Sequence, residues 1–332
     1  MFTLFTSIMG ELKGWFNRAF LMAVWLPVCV FASAATVVYL AGAGELASGA
    51  AAWAQWQTDE KVILVVEFVI VITLVAFGLE YVQVSITRLF EGYWTELPVL
   101  RSFGQWKRRR YELEINSLDR RLEHLSQEIP ELEAAGRPAG SLRAELNRLS
   151  ARRLGSVPPG YEAELMPTRL GNLYKSAELY PYTRYGIDSV VLWPRLREVL
   201  PEQFVGRLQE VKTAVDFLLL FSFLSILFSL LAVPYLWARG AQVWLMLTCA
   251  SGLPLGWLFY RTALSPAQAY SELLKVAFDL HRKALLKALG LSAPITLSQE
   301  QALWRDISDF IFRGIPPATD WQFDAPAAKK ED

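Results

Sequence analysis

The chain has 332 residues, of which 53% are hydrophobic and 20% are charged, and its 33 basic and 33 acidic side chains cancel. Soluble domains are usually about 25% charged and less apolar, so this composition favours a membrane protein. The balanced charge excludes the strongly basic surface of a dedicated nucleic-acid binder. Two histidines and two cysteines supply neither a zinc site nor a disulfide framework.

Residues 1–19 predict an amphipathic helix that lies on the inner surface of the membrane. Apolar residues recur there at steps of three and four, which places them on one helix face. They are Phe2, Phe5, Met9, Leu12 and Phe16. A cleaved signal peptide is the alternative, because Ala32-Ser33-Ala34 follows an apolar run and resembles a cleavage site.

Four apolar stretches are long enough to cross about 30 Å of hydrocarbon as helices. They are Phe20–Leu40, Val62–Val82, Val215–Leu236 and Ala241–Tyr260. We therefore predict spans one and two in residues 20–82 and spans three and four in residues 215–260. Only two of the 33 basic residues, Lys61 and Arg239, lie in the links between paired spans. The positive-inside rule then places both termini and the central segment in the cytoplasm.

The second span contains the intramembrane polar residues Glu67, Thr73 and Glu80. An ionisable residue inside a span is costly and is by default a functional hypothesis, although Glu67 is close enough to one end to reach the interface. Thr73, Glu80 and Thr87 are spaced seven apart and predict a polar stripe. That stripe either lines a pore in an oligomer or faces the other helices.

Residues 83–214 predict a cytoplasmic domain that begins with a helical hairpin at residues 105–155. Apolar residues form a heptad seam in the first helix, namely Tyr111, Ile115, Leu118, Leu122, Leu125, Ile129 and Leu132. Glycine and proline between Gly136 and Gly140 stop that helix, and a second helix starts at Ser141. The seam is compatible with pairing inside the chain and with a coiled coil between chains.

The segment at residues 166–201 is the least helix-like part of the domain, and its tyrosines and Trp193 alternate with basic residues. We expect Tyr185-Gly186 to form a turn and the aromatic residues to form a small core. Contact with inner-leaflet headgroups is a second possibility. Acidic residues alternate with the basic ones, which argues against stacking on nucleic-acid bases.

Residues 261–332 predict an amphipathic helical tail in the cytoplasm with a disordered end. Ser265 to Gln268 has the spacing of a capping box and predicts a helix start, and Gly290 predicts its end. A second box, from Ser298 to Gln301, predicts a shorter helix that ends near Gly314.

Four motifs resemble those of a group of uncharacterised bacterial multi-span integral membrane proteins. They are RLGN at Arg169–Asn172, YGID at Tyr185–Asp188, WPRL at Trp193–Leu196 and AFDLHR at Ala277–Arg282. The resemblance covers the C-terminal half of the chain and implies a bacterial membrane protein with a central soluble insertion, without assigning a reaction. The motif residues we single out are Arg169, Gly171, Asn172, Tyr185, Gly186, Asp188, Trp193, Pro194 and Arg195.

The sequence contains no phosphate loop, nucleophile elbow or metalloprotease pair, so we expect no catalytic residue, no metal and no cofactor. We predict an all-α protein of the bacterial inner membrane with four transmembrane helices, a cytoplasmic helical hairpin and a helical tail. Its expected role is assembly or scaffolding, with the lipid bilayer, further copies, or another membrane or cytoplasmic protein as partners, and no nucleic acid.

The sequence is compatible with two other functions. The first is an oligomeric ion channel or membrane-permeabilising effector with the second span lining the pore. The second is an enzyme that acts on lipid, which would need a basic pocket around Arg169, Arg184 and Arg195.

Overall fold

A computed structural model describes residues 18–96, 98–317 and 321–323. These residues form helices, joined by turns, and one isolated antiparallel bridge between Leu291 and Phe323. The predicted interfacial helix falls almost entirely on residues 1–17, and the predicted disordered end falls largely on residues 324–332. Both predictions therefore lie outside the described residues.

Short helical turns at Arg18–Phe20 and, in π geometry, at Leu21–Trp25 lead into helix α1 (Leu26–Ala43). The helices that follow are α2 (Leu46–Gln55), α3 (Thr58–Glu91), α4 (Pro98–Ala134), α5 (Gly140–Leu154), α6 (Arg169–Tyr185), α7 (Ser189–Glu198), α8 (Glu202–Ala238), α9 (Val243–Ala250), α10 (Gly252–Ala288) and α11 (Leu297–Arg313). Two 3-10 turns lie at Tyr93–Glu96 and Glu162–Glu164.

Within the described residues, four helical stretches are long and apolar enough to cross a membrane. They are Leu21–Ala43, α3, α8 and the stretch Val243–Ala288 that contains α9 and α10. Each contains or overlaps one of the predicted spans. The prediction of an all-helical fold with four candidate membrane spans is confirmed.

The chain divides into two compact units. The apolar unit takes the chain up to Leu89 and Glu210–Pro266, and it holds most of the apolar length of the four candidate spans. The polar unit takes Phe90–Gln209 and the chain from Ala267 onward.

In the apolar unit, small residues let α8 pack closely against α9 and α10. The Ser222 hydroxyl donates a hydrogen bond to the carbonyl oxygen of Gly256, and the Ser229 hydroxyl donates one to that of Cys249, both over 2.7 Å. A Cβ atom on Gly252 would lie 2.7 Å from the carbonyl oxygen of Ser225. Gly252 and Gly256 thus form a G-x-x-x-G pair, a known signal for close helix packing in membranes.

In the polar unit, α4 and α5 pack against each other within the chain. Leu125, Ile129 and Ala139 are buried between them, and α5 covers this cluster with leucines at positions 142, 146 and 149. Pro130 lies inside α4 without ending it.

The main core of the polar unit joins α7, the start of α8, α10 and α11. Its largest fully buried side chains are Ile187, Leu192, Leu196, Leu286, Trp304 and Ile307. The segment at residues 166–201 is therefore more regular than its sequence suggests. It forms α6 and α7, which contain Pro181 and Pro194 in their interiors.

Two predicted helix starts are wrong. Pro266 lies inside α10, which runs through the predicted start at Ser265 without a break. The capping box of α11 uses Thr296 and Gln299, two residues before the predicted pair. Thr296 and Ser298 are both hydroxyl residues followed three positions later by glutamine. The helix uses the earlier pair and is therefore two residues longer at its start.

Candidate functional site

The intramembrane polar residues of α3 do not all share one face and differ in their surroundings. The Thr73 hydroxyl accepts a hydrogen bond from the indole nitrogen of Trp25 over 3.2 Å and donates one to the carbonyl oxygen of Val69. Thr73 is therefore held against the neighbouring span. Glu67 and Glu80 are exposed, and neither is paired with a basic side chain among the described residues.

Glu67 and Glu80 do not share a helix face. They are thirteen residues apart, which places them about 140° apart around an ideal helix. Thr73 and Thr87 are each seven residues from Glu80 and lie on its side. A pore lined by one face of α3 would therefore contain Glu80 or Glu67, and not both.

The side of α3 that carries Glu67 has no packing partner within the described chain. Positions at steps of three and four form this outward face, which consists of Ile63, Glu67, Ile70, Leu74, Gly78, Tyr81 and Ser85. Leu74 is 67% exposed and Tyr81 is 87% exposed. Only 11% of the most apolar stretch of α3 is buried within the chain.

The opposite side of α3 contacts the rest of the apolar unit. Ile72, Ala76, Gln83 and Ile86 are buried there. The side-chain amide of Gln83 donates a hydrogen bond to the backbone carbonyl oxygen of Asp216 in α8 over 3.1 Å. This contact fixes the rotation of α3, so that Glu67 points away from the other helices.

The RLGN motif builds the first turn of α6. Thr168 caps this helix by accepting the amide of Gly171 over 3.0 Å, and its hydroxyl donates to the carbonyl oxygen of Glu91. A Cβ atom on Gly171 would lie 2.7 Å from the Cβ atom of Met166 and would overlap the Glu91 carbonyl. The Asn172 side chain binds both the amide and the carbonyl of Met166. Gly171 and Asn172 are thus required for close packing.

The YGID motif connects α6 to α7. Gly186 ends α6 with φ at +75°, and a Cβ atom there would lie 2.6 Å from the carbonyl oxygen of Gln301 in α11. Asp188 caps α7 by accepting the amides of Val190 and Val191. The expected turn at Tyr185-Gly186 is therefore a helix C-terminus that α11 contacts.

The WPRL motif occupies the interior of α7. The Trp193 ring packs against Phe278 with 6.2 Å between centroids. Pro194 and Arg195 are exposed, and Arg195 donates to the carbonyl oxygen of Val191 in its own helix.

The three arginines of the lipid-enzyme hypothesis do not form one basic pocket. Arg169 lines a cavity of about 220 Å³ together with Glu114 and Arg152. Arg184 lines a different cavity, and Arg195 is bound to its own helix. The basic side chains of this segment are thus dispersed over the polar unit.

The polar cavity is a feature that the sequence did not predict. It has a volume of about 500 Å³ and lies between the α4–α5 hairpin, α6 and α10. Its charged lining residues are Asp119, Arg153, Arg184, Glu272, Lys275 and Asp279. Two of the carboxylates form ion pairs with basic residues of the same lining. Asp119 pairs with Arg153 at 2.6 Å, and Glu272 pairs with Lys275 at 2.9 Å. The buried Nη2 atom of Arg153 has no hydrogen-bond partner among the described residues.

Asp279 organises one wall of the polar cavity. It accepts the hydroxyl of Tyr185 over 2.8 Å and that of Tyr180 over 3.1 Å. Burial, followed by the hydrogen bond to Asp279, raises the pKa of Tyr185 to about 12. Burial and the charge of Asp279 also raise the pKa of Tyr180. Both hydroxyls are therefore held as neutral donors at physiological pH.

Arg282 connects this wall to α11. Its guanidinium lies 4.0 Å from the ring centroid of Tyr185 and pairs with Glu300 at 2.8 Å. Glu300 is only 7% exposed. The AFDLHR motif thus supplies Asp279 and Arg282 to a buried network. This structural role accounts for both charged positions of the motif without a catalytic role.

Comparisons of the chain with protein-family models, with curated proteins and with solved structures gave no match. Among the described residues, no group of three or more histidine, cysteine, aspartate or glutamate side chains is placed to hold a metal ion.

Proposed function

We propose that this chain is a bacterial inner-membrane protein that assembles with further copies of itself through the outward face of α3, and that its role is assembly or scaffolding. The observation that supports this proposal is the exposure of Glu67 among large apolar side chains on a candidate span. The polar unit would then be displayed in several copies at the membrane surface.

Glu67 needs a polar neighbour if it is to lie in the membrane. A charged side chain that faces lipid inside a span is costly, and such residues usually face bundle interiors or aqueous cavities. The contact between Gln83 and Asp216 turns Glu67 away from the helices of its own chain. A second copy of α3 provides the missing polar neighbour, and Gly78 on the same face permits close approach of two helix backbones.

The proposed topology places the polar unit in the cytoplasm. The positive-inside rule supports this orientation, because the links between paired spans carry only Lys61 and Arg239.

The test is the oligomeric state of the full chain in a mild detergent, measured by mass photometry. We expect an oligomer for the wild type and a monomer for Gly78→Phe, because the ring blocks close approach; no atom lies within 4 Å of a Cβ at Gly78, so the fold itself has room for it. Val84→Phe is the matched control, since Val84 is also exposed and lies about 120° away around the helix. A monomeric wild type contradicts the proposal.

The second candidate function is an oligomeric channel or membrane-permeabilising effector with α3 at the pore. The exposed carboxylate of Glu80 on this candidate span favours it. Because Glu67 and Glu80 lie on different sides, a pore predicts that only one of the variants Glu67→Gln and Glu80→Gln changes ion selectivity in reconstituted bilayers. Absence of conductance, or equal currents for all three proteins, argues for scaffolding alone.

A further inference from the structure

The first turns of α4 expose a stack of aromatic rings on the polar unit. Trp94 lies on Phe103 with 5.8 Å between centroids, and Phe103 lies on Trp106 with 5.7 Å. Phe103 is 50% exposed and Trp106 is 52% exposed. Rings of this size are usually buried, so their exposure indicates a surface that something else covers.

Basic side chains surround this stack. The Lys107 ammonium lies within 6 Å of the ring centroids of both Phe103 and Trp106, at 5.8 and 5.6 Å, and Arg110 lies 5.9 Å from that of Trp106. Arg109 precedes Arg110 in the sequence and is exposed. The stretch 98–111 contains five basic residues and no acidic residue. We call Trp94, Phe103, Trp106, Lys107, Arg109 and Arg110 the aromatic–basic face.

The aromatic–basic face is held in place by the fold. A Cβ atom on Gly104 would overlap the side chain of Thr95, so glycine is required for the 3-10 turn to lie against α4. Arg108 points the other way and donates to the Thr95 hydroxyl over 3.4 Å. These contacts position Trp94 on Phe103, so the face is formed before any ligand binds.

We propose that the aromatic–basic face binds the headgroups of anionic phospholipids. Tryptophan beside lysine and arginine is the combination found at membrane interfaces, and a basic cluster next to a span is attracted to anionic lipid. The stretch begins seven residues after Glu91, the last residue of the candidate span α3, so the chain keeps bilayer lipid within reach. The net positive charge complements phosphate, and the rings suit the boundary between headgroup and acyl chain. This binding does not depend on assembly through α3.

The experiment compares lipids bound to the full chain. Delipidated protein in neutral detergent is mixed with equal amounts of phosphatidylglycerol and phosphatidylcholine, and the bound lipids are counted by native mass spectrometry. The test variant is Lys107→Gln/Arg109→Gln/Arg110→Gln. The matched control is Arg120→Gln/Arg137→Gln/Arg148→Gln, which removes the same charge from exposed positions of the α4–α5 hairpin.

We expect the wild type and the control variant to prefer phosphatidylglycerol, and the test variant to lose at least about tenfold of that preference. Arg109→Gln alone should lower it by a smaller factor, and the fold should be unaffected because Arg109 is exposed. Equal preference in the wild type and the test variant overturns the proposal, as does an equal loss in the control. If the aromatic–basic face binds an acidic protein and shows no selectivity between the two lipids, the proposal is also overturned.

Discussion

The hydroxyl of Tyr185 donates a hydrogen bond to Asp279 over 2.8 Å and thereby joins the end of α6 to the middle of α10. The same ring lies against the guanidinium of Arg282, which pairs with Glu300 in α11. Helix α6 and the consecutive helices α10 and α11 therefore meet at one tyrosine. The stability of the polar unit should depend on this contact more than on its exposed ion pairs.

Replacement of Tyr185 by phenylalanine removes one of the two hydroxyl donors of Asp279. Hydrogen bonds to charged groups contribute about 1.5–3 kcal/mol, so we expect the free energy of unfolding to fall by about that amount in a denaturant titration of the purified chain. Tyr182→Phe is the control, because Tyr182 is exposed and its ring packs on Tyr161. Equal losses in the two variants would contradict the assignment.

The raised pKa of Tyr185 predicts a loss of stability at high pH. The unperturbed pKa is 10 and the folded value is about 12, so the folded state favours the protonated hydroxyl. Its contribution is fully present below pH 10 and is lost as the pH rises from 10 through about 12. Between pH 9 and 11, the unfolding midpoint should fall more steeply for the wild type than for Tyr185→Phe. Parallel slopes would show that this hydroxyl is not linked to folding.

Gly171→Ala should destabilise the polar unit, since the new methyl group meets the Glu91 carbonyl and Met166. Overpacking of this kind costs about 1–3 kcal/mol or more. Gly206→Ala is the matched control, because Gly206 lies inside α8 with open space at its Cβ position, and alanine there should stabilise by about 0.5–1 kcal/mol. In thermal unfolding, we expect the melting temperature to fall for Gly171→Ala and to rise for Gly206→Ala.

Arg282→Met leaves Glu300 buried without its partner, and removal of one member of a buried pair costs about 3–5 kcal/mol. The double variant Arg282→Met/Glu300→Met should recover much of that loss. Arg143→Met breaks an exposed pair of similar length, 2.7 Å to Glu133, and should have a much smaller effect. A double variant as unstable as the single one would mean that the pair is not the source of the stability.

The sequence predicted those features that depend on local pattern. Runs of apolar residues longer than a bilayer core indicated the four candidate spans. Glu67 was identified from its depth in a span. Its orientation could not be predicted, because that depends on the contact of Gln83 with a residue 133 positions away.

Prolines and competing caps explain the wrong predictions. Pro181, Pro194 and Pro266 each remove one backbone hydrogen bond, yet α6, α7 and α10 continue through them. The polar cavity is formed by hairpin, α6 and α10 residues that no local spacing connects. By contrast, the G-x-x-x-G pair at Gly252 and Gly256 was present in the sequence as a packing signal and was overlooked.

The most direct test of the central proposal, assembly through the outward face of α3, is disulfide cross-linking in native membranes. Cys29 and Cys249 are first replaced by alanine, and Leu74→Cys is compared with Ile72→Cys. Leu74 is exposed on the outward face and Ile72 is buried against the chain's own helices. Under mild oxidation we expect a covalent dimer for Leu74→Cys and none for Ile72→Cys. No dimer for Leu74→Cys, or equal dimer for both, would contradict assembly through this face.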